Sequence, residues 1–445
     1  METNTDTHAP NTGYDAVIIG GGPSGSTLGQ LLAKSGKKVA IIEKSRFPRF
    51  HIGESLLPAT VVLMEELGLG QYFRDTAIKK PGGVWIYGYT PRGKELFTGG
   101  CFADCTKQAS FHHQPHAYMV ERSVFDQELL SKAEAAGAEV YTEHTVTGVI
   151  GDQEKVSGLT VKDNQGDIIK TFHADIVYDC SGINAVLGKQ FNLRHENDLR
   201  RMAVFGHFDY RAVHTKLQQG FFVGNVIENG WSWYIPLSKN KVSIGIVTPA
   251  ENVRQAKLSP EKFLFHELKK IKDFDKIMDK DIQLSGDVKM IANFGATSEK
   301  ILGKGWALVG DAAFFIDPCF SSGVHLSMIH AQKLARLHIE HGHDTKAFEQ
   351  AMTLCKDEMY DYVDNVKRVV DTFYATTQSK LAYDLSPVMF FGPAKNMFLT
   401  VLGGDFDKHI WFMKLANRFM HFIRWFDLKV LKRDASLIQR DADTV

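Results

Sequence analysis

YDAVIIGGGPSGSTLGQLLAKSGKKVAIIE, residues 14–43, reads as strand, glycine turn, helix and second strand, closed by an acid. Asp15 to Ile19 is a short apolar run of the kind buried in a parallel sheet. Gly20, Gly22 and Gly25 then complete G-x-G-x-x-G, with Pro23 and Ser24 inside the loop. The first glycine permits a tight turn, the second lets backbone approach a pyrophosphate, and the third lets helix pack on strand. Leu28, Leu31 and Leu32 sit at helical spacing before Gly36, and Lys38 to Ile42 form the next strand. That strand delivers Glu43, whose carboxylate can accept the hydroxyls of an adenosine ribose. The pattern predicts an α/β fold with a Rossmann-type dinucleotide-binding domain, phosphates at the helix N-terminus.

The remaining totals narrow the class. The chain has 445 residues, 44% hydrophobic and 23% charged, enough for two or three domains with real cores. Its 52 basic and 52 acidic side chains cancel, so no global charge points to nucleic acid or an anionic membrane, although local patches remain open. Five scattered cysteines imply no disulfide framework and favour a reducing interior. The first 13 residues lack a signal-peptide core. The apolar stretch SPVMFFGPAKNMFLTVLGG is broken by Pro393, Lys395 and Asn396 and is not expected to span a membrane. A cytoplasmic location is expected.

Residues 299–323, EKILGKGWALVGDAAFFIDPCFSSG, place a strand before Gly310-Asp311, then a turn at Pro318 and a helix from about Ser322. This resembles the second fingerprint of flavoprotein monooxygenases, which implies that Asp311 binds the ribityl chain of FAD. Arg122-x-x-Phe125-Asp126 is similar to that family's helix start, whose arginine approaches the flavin. Single-component hydroxylases of the family carry an Asp-Gly pair that helps dock NAD(P)H, where this chain has Ser181-Gly182. The departure implies that the flavin arrives already reduced, from a separate flavin reductase.

GWSWYIP, residues 230–236, puts two indoles at i and i+2, on one face of a strand. By itself that reads as a buried core strand. Together with HIGESLLPAT and IDPCFSSGVHLSM, residues 51–60 and 316–328, it resembles the flavin-dependent halogenases over nearly the whole chain. The likeness is to their pyrrole and phenol branch. Tryptophan halogenases have a glutamate before the Ser-Thr-Gly of the halide loop, and Phe320 stands there in this sequence. The resemblance implies that FADH2 and O2 oxidise chloride or bromide to hypohalous acid, with Ser322 and Gly323 holding the halide. Trp231, Trp233, Ile235 and Pro236 would line the tunnel to a separate substrate pocket. The family's lysine matches Lys80 in AIKKPGGVW, with Lys79 its register-shifted rival; without the flanking motifs the pair would read as solvated loop lysines. The substrate would be an electron-rich phenol or pyrrole, free or tethered to an acyl or peptidyl carrier protein. Two other readings stay open: an FAD-dependent oxidoreductase of another class, geranylgeranyl-reductase-like or an aromatic hydroxylase, and a non-catalytic flavin-binding paralogue.

The expected organisation is a discontinuous FAD domain (14–80, 118–190 and 290–345), a substrate-binding sheet domain (81–117 and 191–289) and a helical C-terminal region (346–445). Residues 408–434, KHIWFMKLANRFMHFIRWFDLKVLKRD, are rich in aromatic and basic residues. They read as a helix docked on the body, with a pocket cover or a basic face for an acidic carrier protein as functional alternatives, and a peripheral membrane role behind those. Cys101, Cys105, His112, His113 and His116 cluster, but their spacings match no common zinc site and no metal is expected.

Overall fold

The structure, a computed structural model, describes residues 13–432 except 90–94, 167–168, 197–199, 210–213, 228, 272–273, 279–281, 293–294, 344 and 386–391. Its first sheet is built on the opening motif. The strand Gly13–Ile19 pairs in parallel with Val39–Ile42 on one side and Ile169–Asp179 on the other. Glu139–Tyr141 and Trp306–Leu308 extend the sheet, also in parallel. Strands buried on both faces must be apolar throughout, and Ala16 to Ile18 and Val39 to Ile42 are all at or below 1% exposure. The helix Pro23–Lys34 follows the glycine turn, with proline in its first turn where no N–H is lost.

The second sheet runs, in order, Gln283–Leu284, Arg201–Asp209, Lys241–Pro249, Gly230–Pro236, Phe222–Ile227, Gly82–Tyr89 and Glu95–Cys101. It is antiparallel except that Phe222–Ile227 and Gly82–Tyr89 run in parallel, which alternation of apolar residues alone could not reveal. One core continues from the first sheet into the inner face of the second and takes in Trp85, Trp231, Trp233 and Ile235. Helices Lys346–Thr377, Gly392–Leu402 and Ile410–Phe426 complete the C-terminal region. No helix among the described residues is long and apolar enough to cross a membrane.

Candidate active site

The nucleotide cradle comes first. A Cβ built on Gly25 would lie 1.9 Å from the Gly20 carbonyl oxygen, so only glycine lets the helix close on the turn. Glu43 Oε2 accepts from the Gly21 N–H at 2.9 Å and Oε1 from the Ser45 N–H at 2.8 Å. The acid thus shapes the loop and keeps lone pairs for a ribose. Arg122 begins the helix Arg122–Ala135, and Asp126, one turn on, gathers two guanidinium groups. Arg122 Nε donates to Asp126 Oδ1 at 2.7 Å, and Arg49 Nη1 lies 3.2 Å from Oδ2. Arg49 also reaches to 3.5 Å from where a Gly22 side chain would begin. A helix N-terminus and a guanidinium therefore flank the glycine loop, which suits a pyrophosphate. Asp311 is partly buried at the cradle, and desolvation pushes its carboxyl up to about 6. Ser327 Oγ donates to it at 3.3 Å, and its remaining oxygen positions suit hydroxyl donors such as a ribityl chain. The residues present fit FAD.

The helix Ser322–His341 starts directly beside this cradle. Ser321 caps it in the left-handed region, at φ 59°, and the N–H groups of Ser322 and Gly323 open its first turn, without acceptors inside the helix. A Cβ on Gly323 would stand 3.9 Å from Asp311 Oδ1, so the expected halide position and the expected ribityl position adjoin.

Lys80 ends the short strand Ile78–Lys80, whose alternation turns Lys79 to solvent and Lys80 inward, to 4% exposure. Its Nζ donates to Ser55 Oγ at 2.8 Å and to the Leu56 carbonyl at 2.9 Å, and lies 5.4 Å from the Phe102 ring centroid. Burial lowers its ammonium to about 7. Lys80 lines a cavity of about 50 Å³ together with Trp85, Phe102, Phe222, Leu399 and the loop Cys319-Phe320-Ser321. That volume admits a few water-sized molecules. The lysine and the Cys319–Ser321 loop, some 240 residues apart in sequence, thus face one mostly apolar space.

Trp231 and Trp233 do share a face, ring centroids 5.5 Å apart, and are buried with Ile235 and Pro236. Neither indole lines the cavity. Trp85 does, standing 5.7 Å from Trp231 and 6.1 Å from Phe320. A continuous aromatic wall runs Phe320–Trp85–Trp231–Trp233–Phe205. Trp231 Nε1 donates to Tyr374 OH at 3.0 Å, and Tyr374 OH donates to Asp317 Oδ2 at 2.8 Å. Asp317 Oδ1 in turn accepts from the Cys319 N–H at 2.9 Å, tying the indole to the Cys319–Ser321 loop. Ser55, Trp85, Asp317 and Tyr374 escaped the sequence reading as site residues. Ser55 and Asp317 lie inside the quoted motifs, and Trp85 closes the lysine stretch, but nothing local marks Tyr374.

Of the cysteine and histidine cluster, Cys105 Sγ donates to the Phe102 carbonyl at 3.2 Å and His116 meets Tyr118 OH at 3.2 Å. Among the described residues no group of three or more His, Cys, Asp or Glu gathers to hold a metal.

The parallel strands around the glycine turn, the cradle itself and Asp311 beside it define an FAD-binding flavoprotein, and a family model described as FAD binding domain matches residues 13–347. The chain is 32% identical over 334 residues to the 1H-pyrrole-2-carbonyl-[peptidyl-carrier protein] chlorinase of Pseudomonas fluorescens, spanning 71% of this chain and 73% of that protein. It is 31% identical over 323 residues to the corresponding brominase of Pseudoalteromonas luteoviolacea, spanning 71% and 74%. The solved structure of the flavin-dependent brominase Bmp2 superposes with a TM-score of 0.79 at 26% identity, covering 92% of this chain and all of that one. The chain belongs to the flavin-dependent halogenases and is an enzyme of that family.

Proposed function

We propose that the enzyme halogenates an electron-rich aromatic, a pyrrole or phenol, through Lys80, using chloride or bromide. The observation that carries this reading is the cavity shared by the buried Lys80 amine and the Cys319–Ser321 loop. When bound, reduced FAD with O2 supplies the two-electron oxidation of halide to hypohalous acid. Gly20, Gly22, Pro23, Ser24, Gly25, Glu43, Arg122 and Asp311 would hold the cofactor, and Ser322 and Gly323 the halide.

Lys80 then receives the oxidant. Its neutral amine attacks the halogen of the hypohalous acid, an N–halogen bond forms, and water leaves with one amine proton. A ring carbon of the substrate attacks that halogen, the N–halogen bond breaks, and loss of the ring proton restores the aromatic ring and the amine. A burial-lowered pKa supports the nucleophilic role. Trp85, Trp231 and Trp233 form a wall that would bar organic substrate from the flavin side. Both similar Pseudomonas and Pseudoalteromonas enzymes act on a pyrrole held by a peptidyl carrier protein, which supports a carrier-tethered substrate here. The division into FAD domain, sheet domain and helical region belongs to the same reading.

The test combines the FAD-loaded protein with a flavin reductase, NADH and bromide, and offers free and carrier-bound pyrroles and phenols. Mass spectrometry should find a brominated product only when reductase is present. Rapid NADPH oxidation by the protein alone, or oxidised flavin turnover without any halogenated product, would refute it.

A further inference from the structure

The C-terminal helix Ile410–Phe426 buries only Met413, Ala416 and Met420 against the body. Its outer face carries Trp411, Leu415, Phe419, Phe422 and Trp425, each between 48% and 62% exposed. These residues recur at helical spacing along one stripe, about 21 Å long at the rise of an α-helix. Val430 and Leu431 prolong it, at 51% and 43% exposed. An apolar stripe of this size on a surface, with Arg418 set between Leu415 and Phe422, calls for an occupant.

Charge identifies the occupant. Lys414, Arg418, His421 and Lys429 are exposed beside the stripe, as is Lys432 at its end. Among the described residues none of the four Lys and Arg side chains enters an ion pair. The single acid between residues 409 and 432 is Asp427, which is buried and accepts from Ser379 Oγ and the Leu381 N–H. In a chain of zero net charge, the cations stand out here. A second copy docked on this face would bring like charges together. A single convex helix offers no groove for a protein ridge, whereas a fluid lipid surface accepts it along its length. Large aromatics at both ends, with Lys and Arg along the flank, are the composition of helices that lie in a membrane interface.

We infer that the helix Ile410–Phe426 is an interfacial anchor that seats the enzyme on an anionic lipid surface. The consequence reaches the cavity. Phe412, on this helix, packs at 5.2 Å ring distance on Phe398, and the next residue, Leu399, lines the cavity with Lys80. The cavity is therefore one helix away from the lipid. On the halogenase reading, an aromatic substrate dissolved in the bilayer, or carrying an acyl chain, would reach Lys80 from that side.

Sedimentation of the FAD-loaded full chain with vesicles tests the anchor without any turnover. Vesicles of phosphatidylcholine containing phosphatidylglycerol should bind at least ~10-fold more tightly than phosphatidylcholine alone, and salt should weaken the binding. Tryptophan emission should shift to the blue as Trp411 and Trp425 enter the interface. Leu415→Ser/Phe419→Ser/Phe422→Ser should abolish binding, and Lys414→Glu/Arg418→Glu should remove the preference for the anionic vesicles, both with FAD retained. If the serine variant loses FAD, the charge-reversed variant decides alone. No binding by the parent chain would overturn the inference, as would equal binding to both vesicle types. So would a dimer, seen by light scattering, that the serine variant dissolves, or binding of an acidic carrier protein to this face without any binding to vesicles.

Discussion

At the scale of single residues, Lys80 is the informative one. An unfolded lysine holds its proton to about 10.5, and this one releases it near 7. Between those values the unfolded chain binds more protons, so stability climbs with pH across that window, and the buried amine costs about 4 kcal/mol at pH 7. A neutral amine is what the proposed halogen transfer consumes. The share of oxidant recovered as halogenated product should therefore rise as pH passes through about 7 and level off above it. A share that falls over the same interval would assign the role to the ammonium. Lys80→Ala should cut halogenation by ~100-fold or more while hypohalous acid still forms and can be trapped by a scavenger dye. Lys79, on the solvent side of the same strand, should tolerate alanine. Full activity in Lys80→Ala would remove the catalytic assignment.

Secondary-structure elements show what a sequence discloses and what it withholds. The strand Gly230–Pro236 was legible because its apolar pattern is local and its indoles alternate to one face. The glycine turn, the Asp311 turn and the helix from Ser322 were legible for the same reason, since each sets its own backbone within a few residues. Tyr374 was not legible, because its role comes from packing a distant helix against this strand. Neither was the parallel pairing of Phe222–Ile227 with Gly82–Tyr89, which depends on chain path and leaves no periodic trace. Gly245 likewise acquires meaning only across the sheet. A Cβ there would stand 2.3 Å from the Trp233 ring, so the bare backbone of Lys241–Pro249 is the floor on which that indole lies. Gly245→Ala should displace Trp233 and destabilise the protein by ~1–3 kcal/mol. Thermal melting and the loss of a buried-indole emission signal would report it; an unchanged melt and spectrum would contradict the packing described.

For the whole molecule, acid is the revealing stress. The single helix Ser322–His341 holds His325, His330 and His338, all nearly without solvent contact. Burial lowers them to about 4, about 3 and about 4. Their unfolded counterparts take up protons below about 6.5, so folding stability should fall as pH drops from 6.5 toward 4. Desolvation also lowers His51, to about 4, and His116; the raised carboxyls Asp179, Asp311, Asp317 and Asp371 act in the opposite sense but are fewer than these five imidazoles. The melting temperature of the FAD-loaded enzyme should decline through that interval, and a flat profile would mean that these imidazoles are protonated within the fold. Trp231, Tyr374 and Asp317 belong to a different kind of dependence. An indole on the sheet, a phenol on the long helix and a carboxylate beside the Cys319–Ser321 loop form one hydrogen-bonded line. For anyone recombining relatives of this enzyme, the GWSWYIP strand is consequently not an exchangeable cassette: a graft that imports it without its phenol and carboxylate carries the indoles but cuts their tether.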